Sequence, residues 1–409
     1  MTDYDVILDR CNHDSAVISR FVDEFLVYYC DDREDMTKQF NREIGRFAHR
    51  LEAMPDEWYR RVLMQYIAFR LFRRGGFVKA YRGHAILRTC GDEERAWLEA
   101  QIDRPWRWSF CRAQARVQEN FYRMIDVCTN EHFLLYSPGM TRILNEGTTP
   151  MMWLLLLTDN GLCRQTYGPL LPLQGLFAHD VLLFTRQLDA RMRRFDQVPA
   201  CIDDDPFPYL MLWWGSKFPV MVHNKDIIMF NRRDLEHVRL DPTRVVRRFS
   251  VEHASGVTRL RLKYWSRHPH FAEAYHDSTR ATLIATAMTD RGWLKLVQAL
   301  REVGVDIPEE ADIRGSVNAT LLFGRILDRD LADHPYIELF ERPVPREEQD
   351  SLDRINDFIT IWVEAWNEGK KFNFEEAARS TGVDPREARG ILTMIEKRFK
   401  DMPPPWRGT

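Results

Sequence analysis

Seven consecutive apolar residues, Met151 to Leu157, limit what this chain can fold into more than any other feature. The run is far short of the roughly 20 residues that a membrane-spanning helix needs. It does not alternate, so it is not a strand with one wet face. The remaining solution is a strand covered on both sides. Thr158-Asp159-Asn160-Gly161 follows it, and Asn-Gly tolerates the positive φ values of a tight hairpin, so Leu162 to Gly168 is read as the returning strand. A second hairpin is expected over Asn120 to Ser137, turning at Cys128-Thr129-Asn130-Glu131. A helix over roughly 176–191 completes a small β-rich module, a twisted sheet or barrel, spanning 104–197.

On either side of this module the hydrophobic period changes. Upstream, Val17, Ile18, Phe21, Val22 and Phe25, and then Met36, Phe40, Ile44, Phe47 and Leu51, recur at three or four positions. Those spacings make helical stripes. A third helix starts at Pro55-Asp56-Glu57 and runs to Gly75-Gly76, and a fourth covers 91–103. Residues 1–103 are therefore a helical domain. Downstream, the Pro- and Asp-rich stretch 198–208 reads as a break between domains. An α+β domain over 205–343 is expected to hold strands at 209–214, 219–224, 226–231 and 281–288, a hairpin over 247–265, and a closing strand at 336–340. Within it FAEAYHDS (271–278) reads as the start of a helix, and Thr289 or Asp290 as a helix cap. Residues 345–409 are helical again. The fold class is thus α+β and multi-domain, with a helical N-terminal part, a β-rich middle and a C-terminal helical module.

At 409 residues, 44 % apolar and 29 % charged, the chain suits several globular cores. It begins on an acidic segment with no basic-then-apolar leader, so a soluble, cytoplasmic protein with no membrane partner is expected. Its seven cysteines are odd in number and form no CxxC, which speaks against a zinc ribbon or a disulfide framework. Free buried thiols in a reducing compartment are the consistent reading. The phosphate-binding glycine motifs, GxSxG and HExxH are all missing. No cofactor and no metal are expected, and the chain reads as non-enzymatic. Asp203-Asp204-Asp205 reads as a solvated turn.

Three constellations point to a function. From Trp58 to Val117 there are thirteen basic and five acidic residues, interleaved with aromatics, while the whole chain carries −3. A phosphate-tracking surface with stacking rings needs such a segment, and Arg70, Arg73, Arg74 and Arg107 are its candidate contacts. In the hairpin 247–265, Arg259, Arg261 and Lys263 alternate with Leu260 and Leu262, giving one basic and one apolar face. In FEEAARSTGVDPREARGILTMIEKRF (374–399), Ala378 sits where two helices approach and Gly382 where a turn needs a left-handed residue. Val383 fills the core, and Asp384-Pro385 starts a second helix whose buried face is Ala388, Ile391, Leu392 and Ile395. This segment resembles the generic helix-turn-helix pattern. The resemblance implies that Arg386, Arg389, Gly390, Thr393 and Lys397 face DNA.

The expected function is that of a regulatory or accessory protein binding nucleic acid through these surfaces. One alternative is a protein-interaction scaffold with no nucleic-acid role, in which the arginine-rich region docks the acidic remainder of the chain or another subunit. Another is a metal-dependent hydrolase built on His268, His270 and His276, from an HxH pair and a later histidine.

Overall fold

The computed structural model describes residues 4–81, 91–147, 150–218, 220–223, 225–331, 335–340, 346–367 and 372–399. Contacts divide the chain into two compact units, 1–334 and 335–409.

The strand that starts in the apolar run, β4 (Met152–Asp159), is covered on both faces by two different cores. Trp153, Leu155 and Leu157 point into a closed five-stranded barrel, where they meet Cys111, Tyr122, Met124, Leu135 and Met140. Met152, Leu154 and Leu156 point outward into a larger core with Phe69, Phe72, Trp106 and Trp108. Burying a large apolar side chain stabilises by roughly 2 kcal/mol. Leaving either face wet would therefore cost roughly 6 kcal/mol, a large part of a net stability of about 5–15 kcal/mol. The barrel runs β1 (Arg107–Gln118), β2 (Phe121–Asp126), β3 (His132–Tyr136), β5 (Arg164–Leu173), β4 and back to β1. All its pairs are antiparallel except β3 with β5, which are parallel through Leu135 with Arg164 and Tyr136 with Gln165. A helix, Pro138–Asn145, lies between β3 and β4 and puts Met140 into the barrel core. Its start is fixed by Pro138 in the first turn and by the Ser137 hydroxyl, which accepts from the Met140 N–H.

Helix α1 (Tyr4–Val17) lies against the outer face of β2 and β3. Ile7 and Cys11 are buried against Phe121 and Cys163, with Tyr4, Leu8, Val117, Leu134 and Tyr136 around them. The chain continues through Ile18–Leu26, whose turns are π-helical, into Val27–Glu34. Helix Asp56–Phe72 packs on β5, and the Gln65 side chain donates to the Tyr167 carbonyl at 2.7 Å.

After a two-stranded ribbon, β6 (Val222–His223) with β7 (Asp226–Ile227), comes a six-stranded antiparallel sheet. Its strands are β8 (Met229–Leu235), β9 (Phe249–Ala254), β10 (Val257–Leu262), β11 (Glu273–Asp277), β12 (Thr282–Ala287) and β13 (Ile313–Ser316). Their order is β13-β8-β12-β11-β10-β9. Helix Asp290–Glu302, capped by Thr289 as expected, covers one face with Trp293, Leu296 and Leu300. Buried Asp180, from helix Ala178–Leu188, ties the first core to this sheet by accepting the Ser316 N–H at 2.6 Å. Burial pushes its carboxyl up to about 6, against hydrogen bonds from the Phe177 and Ser316 backbones.

Four expectations are corrected. Residues 209–214 are not a strand but part of helix Phe207–Gly215, buried on every side from Phe207 to Trp214. Burial all round erases the periodicity that marks a helix. The stretch 198–208 is no exposed break, because helix Val198–Asp204 sends Val198 and Ile202 into the first core. Residues 336–340 hold the short helix Ile337–Phe340, not a strand. FAEAYHDS forms β11, a central strand between β10 and β12.

In the second unit, helices Arg346–Asn367, Phe374–Thr381 and Pro385–Phe399 enclose Phe358, Ala377, Ala378, Val383 and Ala388. Gly382 closes the middle helix at φ 69°, a left-handed position that disfavours any side chain. The Asp384 carboxylate accepts the Arg386 N–H at 2.9 Å and so starts the last helix.

Candidate nucleic-acid interface

Among the described arginines of the basic segment, Arg70 and Arg73 lie at the core boundary, Arg74, Arg104 and Arg107 line one cleft, and Arg60, Arg61, Arg95, Arg112 and Arg116 are exposed elsewhere. Arg70 is half-buried over the rings of Tyr66 and Phe77. Arg73 lies over Phe69 and donates to the Asp203 carbonyl at 2.7 Å. Arg74 and Arg107 come together with Arg104 and Arg164 around a cleft of about 490 Å³ at one end of the barrel. Asp159, Asp196 and Asp203 line the same cleft.

Local sequence builds this mouth. Buried Asp126, at the end of β2, accepts the Ser109 hydroxyl at 2.5 Å and the N–H groups of Cys128 and Thr129 at 2.8 and 2.9 Å. That network shapes the turn that delivers Glu131. Glu131 then bridges Arg107 on β1 and Arg164 on β5. Partial burial opposes its ionisation, yet the hydrogen bonds from both guanidiniums hold it below the ordinary carboxylate value. On the other side, Asn160 Oδ1 accepts the N–H groups of Leu162 and Cys163, both at 2.9 Å, and Gly161 follows at φ 86°. A Cβ at Gly161 would sit 2.5 Å from an Arg104 nitrogen, so the glycine gives that guanidinium its seat.

Two polar atoms in the cleft wall are buried without a hydrogen-bond partner: Arg164 Nη1 and Asp203 Oδ1. Burial raises the Asp203 carboxyl to about 6, against the attraction of Arg73 and Arg107. Arg74 and Arg104 are exposed, and neither has an ion pair among the described residues. The cleft thus offers unengaged guanidinium donors around a carboxyl that is readily protonated. Such a set can hold an anionic oxygen.

The other sequence candidates lie elsewhere. On the second sheet, Arg259 pairs with Glu252 and Glu273, and so does Arg261. Lys263 donates to the Val246 carbonyl at 2.9 Å. Two of the three cations of the basic face expected of this hairpin are therefore paired with carboxylates in place. His268, His270 and His276 do not converge. His268 stands edge-on to His223, His270 is hydrogen-bonded to Thr289 at 2.7 Å, and His276 to the Val238 carbonyl at 3.0 Å. Among the described residues there is no group of three His, Cys, Asp or Glu side chains placed to hold a metal ion. In the second unit Arg386 and Arg389 are exposed on helix Pro385–Phe399, with Arg389 over the Phe374 ring. The side chain of Lys397 lies outside the described residues.

Arg164 and Glu131 were not singled out by the sequence reading. Arg164 is visible only as the third residue after Asn160-Gly161, and Glu131 only as the last of a predicted turn. Their meeting depends on the parallel pairing of β3 with β5.

No protein-family model, curated protein or solved structure matches this chain. Among the described residues no helix is long and apolar enough to cross a membrane.

Proposed function

We propose that this protein binds nucleic acid, with the arginine cleft at the barrel mouth gripping the phosphate backbone. The observation that carries the reading is the cleft itself. Arg74, Arg104, Arg107 and Arg164 surround it; among the described residues two of them have no ion pair and a buried Arg164 nitrogen has no hydrogen-bond partner. Arginine forks match phosphate oxygens and supply a sequence-independent grip. Small five-stranded barrels of the oligonucleotide-binding type use a comparable frame, and commonly bind on the face of strands 2 and 3. Here α1 covers that face, so the open mouth is the better placed contact. The C-terminal helices offer a second contact. Their Gly382 turn, Asp384 cap and exposed Arg386 and Arg389 suit a helix-turn-helix that lays helix Pro385–Phe399 in a duplex groove.

The test is a fluorescence-anisotropy titration of the full chain with labelled single-stranded and duplex oligonucleotides at rising salt. Four backbone contacts give a log–log salt slope of roughly −3 on the single strand. Arg389→Ala is expected to weaken duplex binding and to leave single-strand binding in place. Absence of binding to either probe at low ionic strength refutes the reading.

A further inference from the structure

Cys11 on α1 and Cys163 at the end of the β4–β5 hairpin lie 152 residues apart in sequence, yet their sulfurs touch at 3.3 Å. Both are buried. The Asn160 amide donates toward both, at 3.4 Å to Cys11 Sγ and 3.8 Å to Cys163 Sγ. Gln165 holds the helix in register by donating to the Cys11 carbonyl at 3.0 Å and to the Ser15 hydroxyl at 3.2 Å. The pair is thus fixed from both sides. Two other thiols are differently placed: Cys30 and Cys111 are buried and pushed up to about 12 by that burial.

We propose that Cys11 and Cys163 are a redox modification site, closed to an intramolecular disulfide by a small two-electron oxidant of the peroxide class. The inference is independent of nucleic-acid binding. The hydrogen bond from Cys163 lowers the Cys11 thiol and the same bond raises Cys163, which makes Cys11 the attacking group. The Cys11 thiolate attacks one peroxide oxygen and the O–O bond breaks. Cys11 becomes a sulfenic acid, and the leaving hydroxide takes the displaced proton to become water. The Cys163 sulfur then attacks the sulfenic sulfur, the S–O bond breaks, and the hydroxyl leaves as water with the Cys163 proton. Two thiols and one hydrogen peroxide give one disulfide and two waters. The product ties α1 to the barrel hairpin across a long loop, which restricts the unfolded chain.

The experiment treats the full chain with hydrogen peroxide and reads intact mass, a non-reducing peptide map and the thermal midpoint. Expected are a loss of about 2 Da, a peptide joining Cys11 to Cys163, and a midpoint raised by roughly 5 °C that dithiothreitol reverses. In Cys163→Ser the joined peptide disappears and Cys11 is trapped as its sulfenic acid by dimedone. The wild-type map decides alone if that variant fails to fold. No Cys11–Cys163 peptide at any peroxide concentration, or an unchanged mass loss in folded Cys163→Ser, overturns the proposal.

Discussion

Two arginine pairs on β-strands show how the same residue type is spent in opposite ways. On the second sheet Arg259 and Arg261 face two carboxylates, Glu252 and Glu273, and every charge has its counter-charge within the sheet. At the barrel mouth Arg107 and Arg164 share the single Glu131, and exposed Arg74 and Arg104 stand beside them. The first arrangement is closed and serves the fold. The second keeps donor capacity in hand. Counting basic residues along a chain does not separate the two, because the difference lies in the carboxylates that the strand register brings alongside.

The largest effect is expected where the closed cluster is broken. Glu273 is only 4 % exposed and also accepts the Tyr275 hydroxyl at 2.8 Å. Glu273→Ala leaves mostly buried Arg259 without its main partner and is expected to cost about 3 kcal/mol in urea unfolding. Oligonucleotide affinity should stay unchanged, and a parallel loss of affinity would erase the contrast between the two clusters. Next comes the open cluster. The double variant Arg74→Ala, Arg104→Ala is expected to lower single-strand affinity about tenfold and to flatten the salt slope. Stability should move by no more than roughly 0.5 kcal/mol per exposed site. The smallest effect concerns pH. The Asp203 carboxyl, raised to about 6 by burial and facing Arg73, Arg74, Arg107 and Asp204, is neutral below that value and charged above it. A charged carboxylate repels phosphate, so affinity should fall roughly two- to threefold as pH rises through about 6. Asp203→Asn should remove that step, which a titration of affinity against pH would show directly.

The sequence disclosed those parts of the fold in which a short-range pattern has only one solution. Seven unbroken apolar residues beside Asn-Gly admit little but a two-sided strand in a hairpin, and β4 is that strand. Phe207 to Trp214 shows the opposite case, since a helix with no wet face leaves no period to read. The site was half legible for a related reason. Arg74 and Arg107 stood out within a basic segment, but Arg164 joins Arg107 across β4 and Glu131 comes from beside β3, and no local pattern encodes which strand lies beside which. The Cys11–Cys163 contact, bridging 152 residues, is of the same kind.

The placement of α1 also sets an order of events during synthesis. Ile7 and Cys11 share a core with Phe121 and Cys163, whose codons are read more than a hundred residues later. At about 5–20 residues per second, the helix waits on the order of ten seconds with its apolar side uncovered. Its final dock is a long-range contact that closes late, after the barrel has formed the surface to receive it.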